Sequence, residues 1–291
     1  MIREIKPQDK KRILEISQNI WEGDDYISRV FDDWVANPNG LFSGLWENGK
    51  LVGFGKLTHL TEEDIWLEGL RKDETSGAKG VGEKLSKHYI NYLKGKQIRS
   101  VRFSTYFGNI ASIKLNEKLG FKRLHTLSLK SQQIHEMISI KNDLTKYEFT
   151  EVKNYIESSS YLKGTKGFIG KGWVVYEFNE KLLKQFHREK QILVYRDDNQ
   201  IRGCAIWSLQ HYKKIIWISF LEAESEHILH KLLTEINNIG YDQQKKEMQI
   251  LVPDGKLLEF CHQNNFTSWQ QDHDFLLYEL PKTLIAKITG S

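Results

Sequence analysis

The 291 residues carry 42 basic and 38 acidic side chains, a formal net charge of +4, with 40% hydrophobic and 27% charged residues. That balance, with 8 Trp, 12 Tyr and 14 Phe, excludes a disordered chain and leaves room for two domains with their own cores. The charges are interspersed, without a basic tail or arginine-rich block, and no apolar run approaches the ~20 residues that cross a bilayer, so neither nucleic acid nor membrane is expected as a partner.

In chain order, residues 1–5 read as a short strand. Residues 7–20 read as a helix with Pro7 near its start and Ile13, Leu14 and Ile20 facing inward. Residues 21–26, WEGDDY, form a polar and aromatic loop. Residues 28–35 form a second helix, stopped before Asn37-Pro38. Strands at 44–46 and 51–57 flank Glu47-Asn48-Gly49-Lys50, where Asn-Gly is a strong hairpin signal. A strand at 65–70, an amphipathic helix at 81–94, a strand at 100–105, a helix at 111–119 and a strand at 121–129 complete the half. The order is β-α-α-β-β-β-α-β-α-β.

The opening MIREIKPQDKK has no apolar stretch of signal-peptide length. Cys204 and Cys261 are far apart and outside any C-x-x-C pair. A cytoplasmic protein is expected, with no disulfide framework and no metal site.

The chemistry concentrates in WLEGLRKDETSGAKGVGEKL, residues 66–85. It reads strand, glycine-bearing loop, helix, with Gly77, Gly80 and Gly82 just before the helix and Lys79 and Lys84 nearby. Glycines let backbone N–H groups approach a ligand, and a helix N-terminus adds partial positive charge, so the loop is suited to an anion. A Walker A loop fails because Glu83-Lys84 stands where Lys-Ser/Thr is needed. A dinucleotide fingerprint fails because Leu85 stands at the third glycine. The pyrophosphate of coenzyme A is the remaining candidate.

The segment resembles motif A of the GNAT acetyltransferase superfamily, whose loop has the form [QR]-x-x-G-x-[GA]. Gly80 and Gly82 match the two small positions, and Gly77 stands at the Gln/Arg position. NIASIKLNEKLGF, residues 109–121, looks like the family's later N-x-x-[AS]-x-x-[LF]-Y-x-[KR]-x-G-F segment, with Asn116 where many relatives have tyrosine. The resemblance covers roughly residues 1–129. It implies an α/β (α+β) fold with a mixed, mostly antiparallel sheet, splayed between its two central strands and flanked by helices. It implies acetyl-CoA as cofactor, held by Leu70, Arg71, Lys72, Gly77, Ala78, Lys79, Gly80, Val81, Gly82, Asn109, Ala111, Ser112 and Asn116.

Acetyl transfer to an amine needs a proton acceptor, a stabilised carbonyl oxygen and a protonated leaving thiol. Glu68 is the candidate base, with Gly69 marking a bulge that would aim it into the cleft. The resemblance gives the carbonyl to the Leu70 backbone N–H. Asn116 is the group at the leaving sulfur, with Tyr106 or a water as alternative proton donors. Trp21, Asp24, Asp25, Tyr26 and Tyr106 are the acceptor-side candidates, the two aspartates as attractors of a cationic group. Their plain alternative is turn and cap chemistry. ISQNIWEGDDYI (residues 16–27) and WLEGLR (residues 66–71) look like the corresponding segments of the vertebrate histidine N-acetyltransferase group. That resemblance implies an amino acid or a related small amine as acceptor.

A second half begins near Lys141, giving expected domains of 1–140 and 141–291. Asp198-Asn199-Gln200, Ile216-Trp217-Ile218 and Asn265-Phe266 echo Asn48-Gly49-Lys50, Ile65-Trp66-Leu67 and Gly120-Phe121 at offsets of 150, 151 and 145 residues. This half is expected to be a degenerate GNAT-like domain. Glu222-Ala223-Glu224-Ser225-Glu226 is acidic and free of glycine, so it would repel a pyrophosphate. The leading reading is an acetyltransferase acting on a small-molecule amine. The alternatives are a peptide or protein amine as acceptor, or an acetyl-CoA-binding sensor without turnover.

Overall fold

The computed structural model describes residues 1–18, 20, 25–138, 146–209 and 213–290. Trp21 and Asp24 lie outside them.

Strands β1 (Ile2–Glu4), β2 (Gly40–Glu47), β3 (Lys50–His59), β4 (Asp64–Lys72), β5 (Ser100–Tyr106) and β6 (Lys122–Gln133) alternate with helices α1 (Lys10–Ser17), α2 (Ile27–Ala36), α3 (Val81–Tyr92) and α4 (Ile110–Lys118) in the expected order. The first helix begins later than the sequence suggests. Residues Pro7–Asp9 form a 3₁₀ turn, held by the Asp9 carboxylate, which accepts from the Lys6 N–H (2.9 Å) and from Arg3 (2.8 Å). That shift turns Ile13 and Ile16 inward and leaves Leu14 and Ile20 half-buried. The β2–β3 hairpin turns on Asn48 (φ 49°) and Gly49 (φ 75°), two left-handed residues as a type I′ turn requires.

The chain continues with α5 (Phe149–Ser158), α6 (Ser160–Gly164), β7 (Phe168–Lys171), β8 (Val174–Glu177), α7 (Glu180–Arg188), β9 (Ile192–Asp197), β10 (Gln200–Leu209), β11 (Ile215–Ala223), α8 (Glu226–Asp242), β12 (Glu247–Val252), α9 (Lys256–Gln263), β13 (Thr267–Ser268), β14 (Phe275–Glu279) and α10 (Lys282–Thr289).

The compact units do not divide the chain at a single point. One comprises Met1–Thr105, Asn109–Leu124 and Leu277–Ser291. The other comprises Tyr106–Gly108 and His125–Leu276. The end of the final strand, from Leu277, and the final helix, which a cut near residue 140 gives to the second half, therefore belong to the first unit. Leu280 N–H donates to the Val101 carbonyl (2.9 Å), and Tyr278 stacks on Phe103 with centroids 5.2 Å apart.

In the first unit the strand order is β1-β2-β3-β4-β5-β14. The pairs β1–β2, β2–β3 and β3–β4 are antiparallel. The β4–β5 pair is parallel and its register runs only from Asp64↔Ser100 to Trp66↔Arg102, so the strands splay beyond it. One face packs under α1 and α2 through Ile13, Phe31, Trp34, Phe42 and Phe54. The other receives α3, whose Tyr89 ring lies against Gly55.

The second unit runs β6-β12-β11-β10-β9 and repeats these features. Its β9–β10 hairpin turns on Asp198 (φ 46°) and Asn199 (φ 60°). Its parallel β11–β12 register also ends early, at Ile218↔Ile250. Gly120 and Asn265 are the left-handed residues that end α4 and α9, and the next residues, Phe121 and Phe266, each donate back five places, to Asn116 and Cys261. The second half is thus a second GNAT-like region.

Candidate functional site

Between the register pairs Phe54↔Arg71 and Lys56↔Glu68, β3 advances two residues and β4 three, so Gly69 and Leu70 stand opposite Gly55 alone. This is a bulge in β4. Gly69 carries it at φ 64°, and a Cβ there would lie 2.5 Å from the Trp34 ring. Only glycine combines that backbone with that contact.

One residue before the bulge, Glu68 keeps partial exposure while protein crowds its carboxyl. Thr58 Oγ1 donates to Glu68 Oε1 at 2.6 Å. Burial pushes the carboxyl up to about 7, against the Thr58 hydrogen bond and the charge of Lys56, which pull it down. Lys56 is 1% exposed, and its Nζ lies 3.3 Å from the Trp34 carbonyl. Sequence reading missed both partners. Lys56 had a signal, a lone cation in the apolar strand LVGFGKL. Thr58 had none.

Beyond the bulge, Asp73 is buried and caps the 3₁₀ turn Glu74–Ser76, accepting from the Thr75 N–H (3.0 Å) and Oγ1 (2.7 Å). Arg12 also donates to Asp73, tying the loop to α1. Gly77 (φ 66°) and Gly80 (φ 67°) then lead into α3, with Gly80 as its N-cap. A Cβ at either position would meet open space, so their backbones face outward bare of side chains. Ala78 is buried, Lys79 is exposed, and Lys84 pairs with Glu47 (2.6 Å). Gly82 serves packing: a Cβ there would lie 2.8 Å from Leu115 of α4 and 3.3 Å from Leu70. The two sequence motifs therefore meet at Leu70, Gly82 and Leu115. Asn109 caps α4 by accepting from the Ser112 N–H (3.2 Å), and Ala111 lies exposed in the first turn.

Several candidates are already engaged. Both Asp25 oxygens accept from Arg71, at 2.9 and 3.0 Å, and the Asp25 side chain is 2% exposed. Its carboxylate is therefore committed within the fold rather than offered to a cationic acceptor. Arg71 also lies over the Tyr26 ring (5.7 Å), so Arg71, Asp25 and half-buried Tyr26 form one wall. Lys72 pairs with Glu74 (3.1 Å). Asn116 is 5% exposed and donates back to the Ser112 carbonyl (2.9 Å), so its amide N–H is directed into its own helix and not toward a leaving sulfur. Tyr106 falls in the second unit, edge-on to Trp269 at 5.0 Å.

The second unit places different chemistry on the same frame. Only Glu224 and Ser225 separate β11 from α8, where eight residues separate β4 from α3. The Tyr161 hydroxyl lies 2.9 Å from the Leu251 carbonyl and 3.3 Å from the Ser219 carbonyl, bridging β12 and β11 just past the end of their register. Glu222 holds the start of α6, accepting from the Ser160 (3.1 Å) and Tyr161 (2.9 Å) N–H groups.

Residues 10–121 match the Acetyltransferase (GNAT) family. In fold the chain is similar to a GCN5-related N-acetyltransferase from Sphaerobacter thermophilus, with TM-score 0.61 and 13% identity over 96% of this chain and 94% of that one. It is also similar to a Thermoplasma acidophilum protein assigned as an acetyltransferase, with TM-score 0.63 and 14% identity over 96% and 98%. The glucosamine N-acetyltransferase region of a fungal multi-domain β-N-acetylglucosaminidase gives TM-score 0.65 and 10% identity over 96% of this chain and 38% of that one. No curated protein matches the sequence. Among the described residues no helix is long and apolar enough to cross a membrane. The family match thus covers residues 10–121, and the whole chain shares the fold of these acetyltransferase structures.

Proposed function

We propose that this chain is a GNAT-type enzyme that transfers acetyl from acetyl-CoA to the amine of a small molecule, by direct attack within a ternary complex in the first unit. The observation that carries the reading is Glu68: a carboxyl pushed up to about 7, held by Thr58, one residue before a bulge in the strand that leads into a glycine-bearing loop.

The loop fits coenzyme A. Two outward glycines with left-handed backbones, bare of side chains, precede the N-terminus of a 12-residue helix, which suits a pyrophosphate. Leu70–Lys72, Gly77–Gly82 and the capped start of α4 are the residues that would hold the cofactor. When bound, it supplies the thioester carbon that the amine attacks.

Glu68 accepts the amine proton, directly or through a water: the N–H bond breaks and a carboxyl O–H forms. A base that titrates near 7 suits this at neutral pH. It also suits an α-amine, whose reference pKa of about 8 leaves far more free base than the ~10.4 of lysine. The Leu70 N–H, carried at the bulge, polarises the carbonyl. The amide of Asn116 is engaged with Ser112, so a water is the better donor to the leaving thiol. The acceptor class is an amino acid or related small amine, as the histidine N-acetyltransferase resemblance implies.

The experiment is release of free thiol from acetyl-CoA across free amino acids, polyamines, aminoglycosides and N-terminal peptides. Acceleration by amino acids or related small amines is expected. Acceleration by peptides alone moves the acceptor to a protein terminus, and binding without release under any amine makes the chain a sensor.

The two-domain division goes with this reading: a catalytic first domain and a degenerate second one. Tyr161 between β11 and β12, and the short acidic link to α8, support the loss of the second cofactor site. Calorimetry with CoA is expected to give one site per chain. Two equivalent sites would restore the second domain as a binder.

A further inference from the structure

A lysine with 1% exposure is rare unless it has a task. Lys56 points along the α1/α2 face of the sheet toward Gly40, where a Cβ would lie 2.7 Å from its Nζ, and its ammonium reaches the Trp34 carbonyl. Its register partner is Glu68. Directly opposed residues of an antiparallel pair hold their Cβ atoms ~5 Å apart, so the two side chains leave the same face of the ladder as neighbours, close enough for each charge to act on the other.

We propose that Lys56 is a positioning residue for Glu68, its buried ammonium, carried on the register partner of Glu68 and on the same face of the sheet, favouring the charged, proton-accepting form of the carboxyl. The proposal rests on the reading of Glu68 as the base.

The second repeat supplies an internal comparison. Counted from the two turns, Leu57 and Trp207 correspond and pair with Leu67 and Ile218; the irregularity of the second hairpin falls between Ile206 and Trp207, so Ile206 pairs with Phe220. One residue further along, β4 has Glu68 and β11 has Ser219. Thr58 on Glu68 becomes Ser208 beside Ser219, with the two hydroxyls 3.3 Å apart. The position of Lys56 becomes Ile206, fully buried. The fold therefore builds this hairpin with an isoleucine there, and the lysine is found only in the copy that has the carboxylate. A packing role alone would need no charge.

The electrostatics agree. Burial pushes the Glu68 carboxyl up and the Lys56 ammonium down, and each group's charge offsets the other's shift. Other charges near the pair are few. Glu4 of β1 raises Lys56. From α1, Arg12 is tied to Glu15 and Asp73. From α2, Asp32 pairs with Lys10, Asp33 is exposed and Arg29 is half-buried. His88 of α3 lies on the opposite face, 3.3 Å from Ser43.

The test is a ¹³C titration of the Glu68 carboxyl in the full chain, with Glu68→Gln to assign the signal. Lys56→Met keeps the stem and removes the charge. It is expected to raise the Glu68 midpoint by about 1 unit or more. The acidic limb of kcat/KM should move up with it, while acetyl-CoA affinity stays. Lys56→Ile, the residue of the second repeat, should do the same, and Lys56→Arg should return the midpoint toward the native value. An unchanged midpoint in both neutral variants overturns the proposal. The titration needs no turnover, so it separates the two ideas. Full activity in Glu68→Gln removes the base, whereas a fixed midpoint removes Lys56 alone.

Discussion

Glu68→Gln is expected to lower kcat by about 10²-fold or more, the range of a lost general base, while acetyl-CoA affinity stays unchanged. Glutamine keeps the size of the side chain and can still receive the Thr58 hydrogen bond on its carbonyl oxygen, so the bulge and the loop beyond it are not disturbed. The pH profile is the sharper readout. The base works only when deprotonated, and its carboxyl titrates at about 7, so native kcat/KM falls as pH drops below that value. The variant loses this limb. Stability should move the other way. A carboxyl whose folded value lies above its unfolded one binds more protons when folded, so stability falls as pH rises from about 4.5 through 7. Glutamine carries no such penalty. The variant should therefore melt above the native protein at pH 8, with the gap closing below about pH 4.5. Retained activity with a native acidic limb would take Glu68 out of the mechanism.

The parts of this molecule that can be read from sequence are those fixed by local backbone chemistry. Asn48-Gly49 announced its hairpin because a type I′ turn needs two left-handed residues, and Gly77 and Gly80 announced a loop bare of side chains, whereas Gly82 lies in α3 and serves packing. Asp198-Asn199 and Asn265-Phe266 disclosed the repeat for the same reason, since turn and cap positions tolerate few residues. What stayed hidden depends on partners distant in sequence. Asp25 read as an attractor of a cationic acceptor, with turn and cap chemistry as its alternative, but Arg71, 46 positions on, takes both its oxygens. Tyr161 had no local signal because its role is set by two carbonyls on β11 and β12. The late exchange of β14 and α10 into the first unit followed from packing on Phe103 and Val101, which no periodicity reports. Lys56 lay between these cases: its burial followed from the strand, its partner from the register.

Gly69→Val is expected to have the second large effect, and to reach stability and catalysis together. At φ 64° a β-branched residue sits in a region that L side chains avoid, at a cost of roughly 1–2 kcal/mol. Its Cβ would also stand 2.5 and 2.7 Å from the Trp34 ring, and overpacking of that kind adds about 1–3 kcal/mol. Trp34 cannot simply swing aside. It packs edge-on to Phe42 (5.2 Å) and Tyr26 (5.9 Å), and its carbonyl accepts from Lys56. The cheaper relief is for β4 to give up the bulge and pair regularly with β3. That slips the strand by one residue, which turns Glu68 to the opposite face and removes Leu70 from its place. A melting-temperature loss equivalent to about 2–4 kcal/mol is therefore expected, with activity reduced at least as far as in Glu68→Gln. Gly69→Ala separates the two causes, since it keeps most of the contact with Trp34 but lacks the branched side chain. A valine variant with native melting and native kcat would mean that the bulge positions neither Glu68 nor the Leu70 N–H.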